Sequence, residues 1–414
     1  MDARAKHVYL KEQIFRPVLL PRQDSSYLTD IGFQVEFTDA KGDTGESEFC
    51  LVNPRELVGH FRLPSGRIAV IEPKIAAANV FRMLAYIYTA AHERFLRPET
   101  VEYARETFLF EPLVIFFNSL VANRVRRGLV QDYIRLAENL GSFRGALHVS
   151  NHILHNLGRD NAIYCRYFEQ TVDIDDNRII KSTLHRLLQM GCWTRRTTLD
   201  LISNAHQFDA VSLALYPHRI LENRHYHRLN EDYQPIHALC KMFLDCSSIS
   251  EKIGDLDFNG FLLDMNVLFE QFVQQVFEAA LRHKALTIAI QKPELLSSIA
   301  SYGIEIRPDV VIRDGLTVAA IVDAKYKKDA AGPKNPDTYQ VITYGTVLEC
   351  PRTYLLYPQT EVDSEHDIPV KNSGIVVRTR RVDISASDCV QKAEAVARAI
   401  ISEREPAHWQ TNVA

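Results

Sequence analysis

The sequence predicts an α/β protein, α+β overall, in three parts: a β-rich N-terminal part over residues 1–75, a mainly helical middle over 76–250, and a C-terminal α/β domain over 251–414 with a mixed sheet flanked by helices. Three observations predict it. Apolar and polar residues alternate in short segments over the first 75 residues, the apolar spacing turns helical at Ala78, and a helix, a hairpin, a second helix and further strands succeed one another in the last third.

In the first part the strand-like pieces are IFRPVLL, FQVEFTD, SEFCLVN and GRIAVIEPKI, separated by turn-forming clusters at Asp39–Gly45 and Pro64–Gly66. From Ala78, the residues Val80, Phe81, Leu84, Ile87 and Tyr88 fall on one helical face, and a second apolar helix is expected over Pro112–Val125. Strand-like pieces around Tyr133 and Leu147 flank Gly141–Gly145, and the stretch from about Asn161 to Asp245 reads as mostly helical. A polar patch, Cys246–Gly254, leads into the last domain, where a long helix is expected from about Phe258 to His283, burying Phe261, Met265, Leu268, Phe269, Phe272, Val276 and Leu281. A hairpin then turns near Asp314–Gly315, a helix starts near Pro336–Asp337, the strands TYLLYP and GIVVRTRRV follow, and a last helix begins near Ser387, a candidate N-cap.

With 46% hydrophobic and 24% charged residues the chain is neither disordered nor fibrous, and its 414 residues exceed one ordinary core. No run approaches the ~18 apolar residues of a membrane helix, and the polar start lacks the features of a signal peptide. Seven cysteines without a C-x-x-C pair point to reduced thiols in a cytoplasmic protein and away from a zinc ribbon or disulfide scaffold. The net charge of −4 does not mark a nucleic-acid binder, although residues 119–228 hold 15 Lys and Arg against 10 Asp and Glu. The histidines His148, His152, His155, His185, His218, His225 and His227 make no H-E-x-x-H or Cys/His pattern, so they read as solvated or core groups. No G-x-x-x-x-G-K-[ST] is present, so the chain is not expected to hydrolyse nucleotide itself.

The residues that point to chemistry lie in the hairpin. Pro308–Asp309 is followed, thirteen residues later, by Asp323–Ala324–Lys325. Positions i and i+2 of a strand share a face, so Asp323 and Lys325 point the same way. Asp323 ends an apolar run, Val318–Val322, where a carboxylate is costly unless a cation or donors compensate it. Two carboxylates from adjacent strands would offer hard oxygen donors to Mg²⁺, with Mn²⁺ the alternative, and an ammonium beside them could hold the attacking water or balance charge on a phosphoryl group. Glu270, on the helix before the hairpin, could supply a third carboxylate; an ordinary surface glutamate is the competing reading. Gln340 and Tyr344, at i and i+4 on the next helix, could brace the site or grip a nucleic-acid backbone, or be a plain surface pair.

These residues carry a resemblance to a known family. RPDVVI…IVDAKYKK, together with VGHFRLPSGRIAVIEPKI, GLVQDYIRLAENLGSFRGAL and CRYFEQTVDIDDNRIIKSTLHRLL, is similar to the McrC family, the nuclease partner of the GTP-driven McrB motor in modified-cytosine restriction. The resemblance implies a PD-(D/E)xK nuclease domain with Asp309, Asp323 and Lys325 as catalytic residues. Asp309, Asp323 and Glu270 would hold the metal, and Gln340 and Tyr344 would support them. It also implies DNA as substrate, with the modified cytosine read by the partner, and an N-terminal part that stimulates an AAA+ GTPase ring; Lys74 or Arg144 would be candidates to act there in trans. Two rival readings are a non-cleaving activator of the GTPase and a stand-alone repair nuclease. A cleavage assay with and without the motor separates them.

Strand parity adds a structural condition. A two-residue loop at Asp314–Gly315 would set Asp309 opposite Ala320 and turn Asp323 and Lys325 to the other face. The nuclease reading therefore expects an odd-length loop or a β-bulge between Asp309 and Asp323, and Glu270 within reach of both aspartates.

Overall fold

The computed structural model describes residues 7–37, 47–88, 110–159, 161–214, 224–228, 230–247, 260–282, 284–296, 303–327, 335–359 and 365–403. The chain forms two compact units: Met1–Pro112 together with Ile253–Ala414 make one, and Leu113–Lys252 the other.

The chain opens with strands β1 (His7–Lys11) and β2 (Arg16–Pro21), helix α1 (Arg22–Asp30), strands β3 (Gln34–Phe37), β4 (Ser47–Asn53), β5 (Leu57–Arg62) and β6 (Ile68–Glu72), and helix α2 (Ala77–Tyr88). Strands β2, β4 and β3 pair antiparallel, while β1 runs parallel to β6 and β6 pairs with β5. Strands β1 and β5 and helix α1 were not expected from the sequence. In LVGHFR the glycine and histidine mask the alternation, and α1 is polar, so its packing against the strands rather than its own pattern makes it a helix.

The second unit continues helix α3 (Glu111–Arg126) into strands β7 (Asp132–Leu140) and β8 (Ala146–Leu147), helix α4 (Val149–Asn156), strand β9 (Ile163–Thr171), and helices α5 (Asp175–Met190), α6 (Arg195–His206) and α7 (Gln234–Ser247). The middle region is thus not wholly helical: β7, β9 and β8 form a three-stranded antiparallel sheet. Helix α5 starts on Asp175 and Asp176, which favour the positive end of the helix dipole, and stops at Gly191, whose φ of +57° is left-handed.

The remaining elements are β10 (Gly260–Asp264), α8 (Met265–Leu281), β11 (Thr287–Ile290), β12 (Glu294–Leu295), β13 (Glu305–Ile306), β14 (Val310–Asp314), β15 (Thr317–Ala324), α9 (Asn335–Val347), β16 (Arg352–Pro358), β17 (Asp367–Pro369), β18 (Val376–Val382) and α10 (Cys389–Ser402). The expected mixed sheet has the order β11-β14-β15-β16-β18-β17, with β15, β16 and β18 parallel. Helix α9 packs on the face that holds Thr353 and Leu355, whereas Tyr354 on the other face donates to Glu403 at the end of α10, at 2.5 Å. The long helix expected from Phe258 is shorter. Gly260–Asp264 is a strand, and Asp264, accepting from Asn266 N at 2.8 Å, caps the helix that follows. Asp388 rather than Ser387 occupies the cap of α10. The polar patch at Cys246–Gly254 falls mostly outside the described residues.

The three-part division is corrected by β10. It pairs antiparallel with β5, so the N-terminal sheet takes its fourth strand from the start of the C-terminal part. Helix α2, read as part of the middle, belongs here too: Asn79 Nδ2 donates to Ile384 O and Ser385 O at 3.0 and 2.7 Å, and Tyr86 packs edge-on against Phe272. The β5–β10 pair is close because two glycines face it. A Cβ at Gly59, whose φ is +136°, would lie 2.1 Å from Phe261 O, and one at Gly260 would lie 2.0 Å from the Phe61 Cβ. Gly59→Ala and Gly260→Ala are each expected to destabilise this unit by roughly 1–3 kcal/mol, read as a fall in Tm, because the clash is with backbone that cannot move aside.

Candidate active site

The register of the β14–β15 hairpin decides where the acidic residues go. Val310 pairs with Val322, Val311 with Ile321 and Ile312 with Ala320, but Arg313 pairs with Val318 and Asp314 with Thr317. The loop is two residues long, Gly315 and Leu316, one position later than expected, with Gly315 in the left-handed region at φ +60°. Ala319 is the extra residue of a bulge. Carried on without that shift, the register at the turn would set Asp309 opposite Val322 and Asp323 on the other face. With it, the pair beyond Val310 and Val322 is Asp309 and Asp323. The expected bulge is present, and Asp309, Asp323 and Lys325 share a face.

Both carboxylates are buried, Asp309 at 6% and Asp323 at 1% exposure. Asp309 is held by its backbone, whose carbonyl accepts from Gln291 N at 3.2 Å, and by its side chain, whose Oδ2 accepts from Ala324 N at 2.8 Å. Lys325 Nζ lies 2.7 Å from Asp323 Oδ2, and the lysine's own N–H continues the sheet to Leu356 O at 2.8 Å. Asp323 Oδ2 is buried, and the Lys325 ammonium is its close neighbour. Burial raises the pKa of both aspartates; the charge of Asp309 raises that of Asp323 further, and the charge of Glu270 that of Asp309. Burial disfavours the charge on Lys325, but Asp323 and Asp309 outweigh it and hold the group as an ammonium.

Glu270, half-buried on α8, stands in the electrostatic reach of Lys325 and Asp323, and burial raises its pKa. Among the described residues no three Asp, Glu, His or Cys side chains are gathered closely enough to hold a cation as they stand. Glu270 therefore flanks the aspartate pair and does not complete a three-carboxylate cluster with it. Gln340 Nε2 donates to Tyr344 OH at 2.5 Å, and that hydroxyl donates to Arg307 O at 3.3 Å. The pair braces the approach to Pro308–Asp309 from the face covered by α9.

The structure brings in residues that the motif did not single out. Asp337, buried at the start of α9, accepts from Lys327 Nζ at 2.8 Å and from Tyr357 OH at 3.2 Å. Tyr326 donates to the fully buried Glu12 at 3.4 Å. Nothing in the local sequence around Glu12 marks it, because its partners are sixty and three hundred residues away. Lys74, one of two candidates to act in trans, lines a cavity beside Tyr326 and Lys327 in this same unit. The described histidines keep the bland reading: His185, His225 and His227 are exposed, His152 bonds Tyr164 N and Asn156, His155 stacks on Tyr164, and His148 caps α4. His218 lies outside the described residues.

A family profile described as a McrBC 5-methylcytosine restriction system component matches residues 52–358, which is 307 of 414 residues. The chain belongs to this family. Its fold is similar to that of a chain in the refined half-complex from the tetradecameric assembly of Thermococcus gammatolerans McrB AAA+ hexamers with bound McrC. There the TM-score is 0.58 and the identity 18%, over 95% of this chain and 100% of that one. A chain of the Thermococcus gammatolerans McrBC complex, seen by cryo-EM, aligns with a TM-score of 0.42 and 19% identity over 66% of this chain and 88% of that one. No curated protein matches the sequence. The match to the McrBC family spans the second unit and every site residue expected from the sequence, whereas Glu12 lies before it. Among the described residues no helix is long and apolar enough to cross a membrane.

The donor set fits a hard divalent cation: two buried carboxylates on one face, with an ammonium against Asp323, suit Mg²⁺, which keeps several waters and takes one or two carboxylates. A pH dependence follows. Asp309 and Asp323 have pKa values raised in the fold, so between the ordinary carboxylate value and the raised one the folded state binds more protons, and stability falls as pH rises through that window. Without divalent ions, Tm is expected to fall more steeply from pH 5 to pH 8 in the wild type than in Asp323→Asn. Mg²⁺ at pH 8 should restore the wild type and leave the variant unchanged. Thermal unfolding in EDTA and in Mg²⁺ measures both, and identical pH slopes for the two proteins would contradict the assignment.

Proposed function

We propose that this chain is the DNA-cleaving subunit of a modified-cytosine restriction system, a cytoplasmic Mg²⁺-dependent endonuclease that works with, and stimulates, an AAA+ GTPase. The observation that carries the reading is the placement of Asp309, Asp323 and Lys325 on one face of a bulged hairpin. Asp309 and Asp323 would hold the metal, with Glu270 beside them; Mn²⁺ would serve in place of Mg²⁺. The cation would supply Lewis-acid polarisation of the phosphoryl oxygen and a bound water of lowered pKa. Lys325, kept cationic by its neighbours, would orient the attacking water or balance charge on the phosphoryl oxygens in the transition state. Gln340 and Tyr344 would keep the Asp309 strand in register through Arg307 O.

The second unit supports the partner half of the reading. Strand β7 is exposed along most of its length, with Tyr133 open to solvent and so too, on β9, Phe168, the partner of Arg135. Helix α4 and its end expose Val149, Ile153, Leu154 and Leu157, and Phe143 is 61% exposed in the loop before β8. Exposed apolar side chains gathered on one small sheet and the helix beside it favour a protein-binding face. The McrC in the T. gammatolerans assembly is bound to McrB AAA+ hexamers, and a ring of that type is the partner proposed here. The modified base would be read by that partner.

Two sets of variants test the division. Asp309→Ala, Asp323→Ala and Lys325→Ala should each lower cleavage of methylated DNA by roughly 100-fold or more while GTPase stimulation stays within about twofold. Phe143→Asp, Leu154→Asp and Phe168→Asp should abolish stimulation, and motor-driven cleavage with it, without changing thermal stability. Wild-type cleavage by Asp323→Ala would sink the catalytic assignment. Wild-type protein that stimulates without cutting would favour an activator, and robust cleavage without the motor a stand-alone nuclease.

A further inference from the structure

Three carboxylates of this unit outside the hairpin are fully buried among the described residues, Glu12, Asp24 and Glu111, and Glu12, just past the end of β1, is the one that reaches the residue after Lys325. Its Oε2 accepts from Lys74 N at 2.9 Å and from Tyr326 OH at 3.4 Å, while Oε1 has no hydrogen-bond partner among the described residues. Burying a carboxylate with one oxygen unanswered is costly, and an apolar side chain there would remove the cost. The chain around it is pinned rather than relaxed. Glu12 N donates to Glu72 O at 3.0 Å, and Gln13, a non-glycine residue at φ +53°, donates to Arg55 O at 2.7 Å. The Lys74 charge and the two hydrogen bonds to Oε2 offset part of the cost of burying Glu12.

What Glu12 holds is the residue after Lys325. Tyr326 is 7% exposed, and its ring lies against Phe269, the neighbour of Glu270 on α8. Tyr326 also lines a cavity of about 30 Å³, together with Gln13, Lys74, Lys327 and Gln359. The backbone of the strand end is held by Lys325 N on Leu356 O and Lys327 by its ion pair with Asp337, and the hydrogen bond to Glu12 fixes the Tyr326 side chain between them. The backbone turns tightly here, with Lys327 N donating to Lys325 O at 2.9 Å. A tether on Tyr326 thus sets the position of the lysines on both sides of it.

We infer that Glu12 is a positioning residue for the candidate active site: through the Tyr326 hydroxyl it fixes the strand end that carries Lys325. The inference rests on the nuclease reading above and gives the N-terminal sheet a part in cleavage. Full-length protein with its AAA+ GTPase partner, GTP and Mg²⁺, acting on plasmid DNA carrying 5-methylcytosine, tests it. Glu12→Met and Tyr326→Phe are expected to lower kcat about tenfold or more, with KM for DNA and GTPase stimulation within about twofold and Tm unchanged or higher. Glu12→Gln, which keeps an oxygen to accept from Tyr326, should recover about a third or more of wild-type kcat. A merely structural role would move Tm, KM and stimulation together with kcat, and that pattern overturns the inference. So does wild-type kcat in Glu12→Met. If Glu12→Met fails to fold, Tyr326→Phe, which loses only a hydroxyl, decides by the same criteria. Wild-type protein that does not cut, alongside an equally inactive Asp323→Ala, overturns the nuclease reading and this inference with it; cleavage that is normal in the wild type, lost in Asp323→Ala and unchanged in Tyr326→Phe overturns this inference alone.

Discussion

The candidate site depends on one extra residue in a strand. Side chains alternate across a sheet, so the relation between Asp309 and Asp323 is a matter of parity, and the two-residue loop at Gly315–Leu316 gives the wrong parity. The bulge at Ala319 reverses it. Everything on the site side follows: the opposition of the two aspartates, the approach of Lys325 to Asp323, and the reach of Gln340 and Tyr344 from α9. The surrounding strands are apolar and buried on both faces, from Val310 to Ile312 and from Ala320 to Val322, so it is the bulge, and not a solvent-facing side, that sets which face receives the aspartates.

The same apolar setting gives the carboxylates their character. Water would solvate Asp309 and Asp323 at a surface; here burial raises both pKa values, the charge of Asp309 adds to the rise of Asp323 and that of Glu270 to the rise of Asp309, and the nearby ammonium only partly offsets this. A site strained in this sense is poised for a cation or for protons. The Ala324 N–H, which donates to Asp309, comes from the residue between Asp323 and Lys325, so one strand end supplies a carboxylate, an orienting donor and the ammonium.

The compact unit around the site is assembled from both ends of the chain. β10 completes a sheet begun by β1, β6 and β5, α2 docks by Asn79 on the loop before α10, and Glu12 reaches Tyr326. The second unit is an insertion between these two halves, with its own helical core and a sheet whose surface is left open. Such an arrangement separates the surface proposed for the motor from the proposed chemistry by placing them on different units. It also explains why a family match that spans 52–358 begins inside one half of a unit and ends inside the other.

The sequence by itself determined the elements with strong periodicity and the chemistry of the hairpin. The helices at α2, α3 and α9, the strands β14, β15, β16 and β18, and the identity of Asp309, Asp323 and Lys325 as a set follow from local pattern and residue type, because alternation and helical spacing are short-range properties. It also posed the parity condition, though not where the bulge would fall. Tertiary structure decided what depends on distant partners. Gly260–Asp264 is a strand because β5 offers it an edge, although its apolar residues continue the pattern of α8. Strands β1, β5 and β9 and helix α1 are stabilised by neighbours that no local window contains. Glu270 was legible as an acidic residue on the right helix, but only packing set it beside the aspartate pair and not in one cluster with it. Glu12 was invisible for the same reason. A carboxylate acquires its role from the groups that burial forces upon it, and those are fixed by the fold and not by its neighbours in sequence.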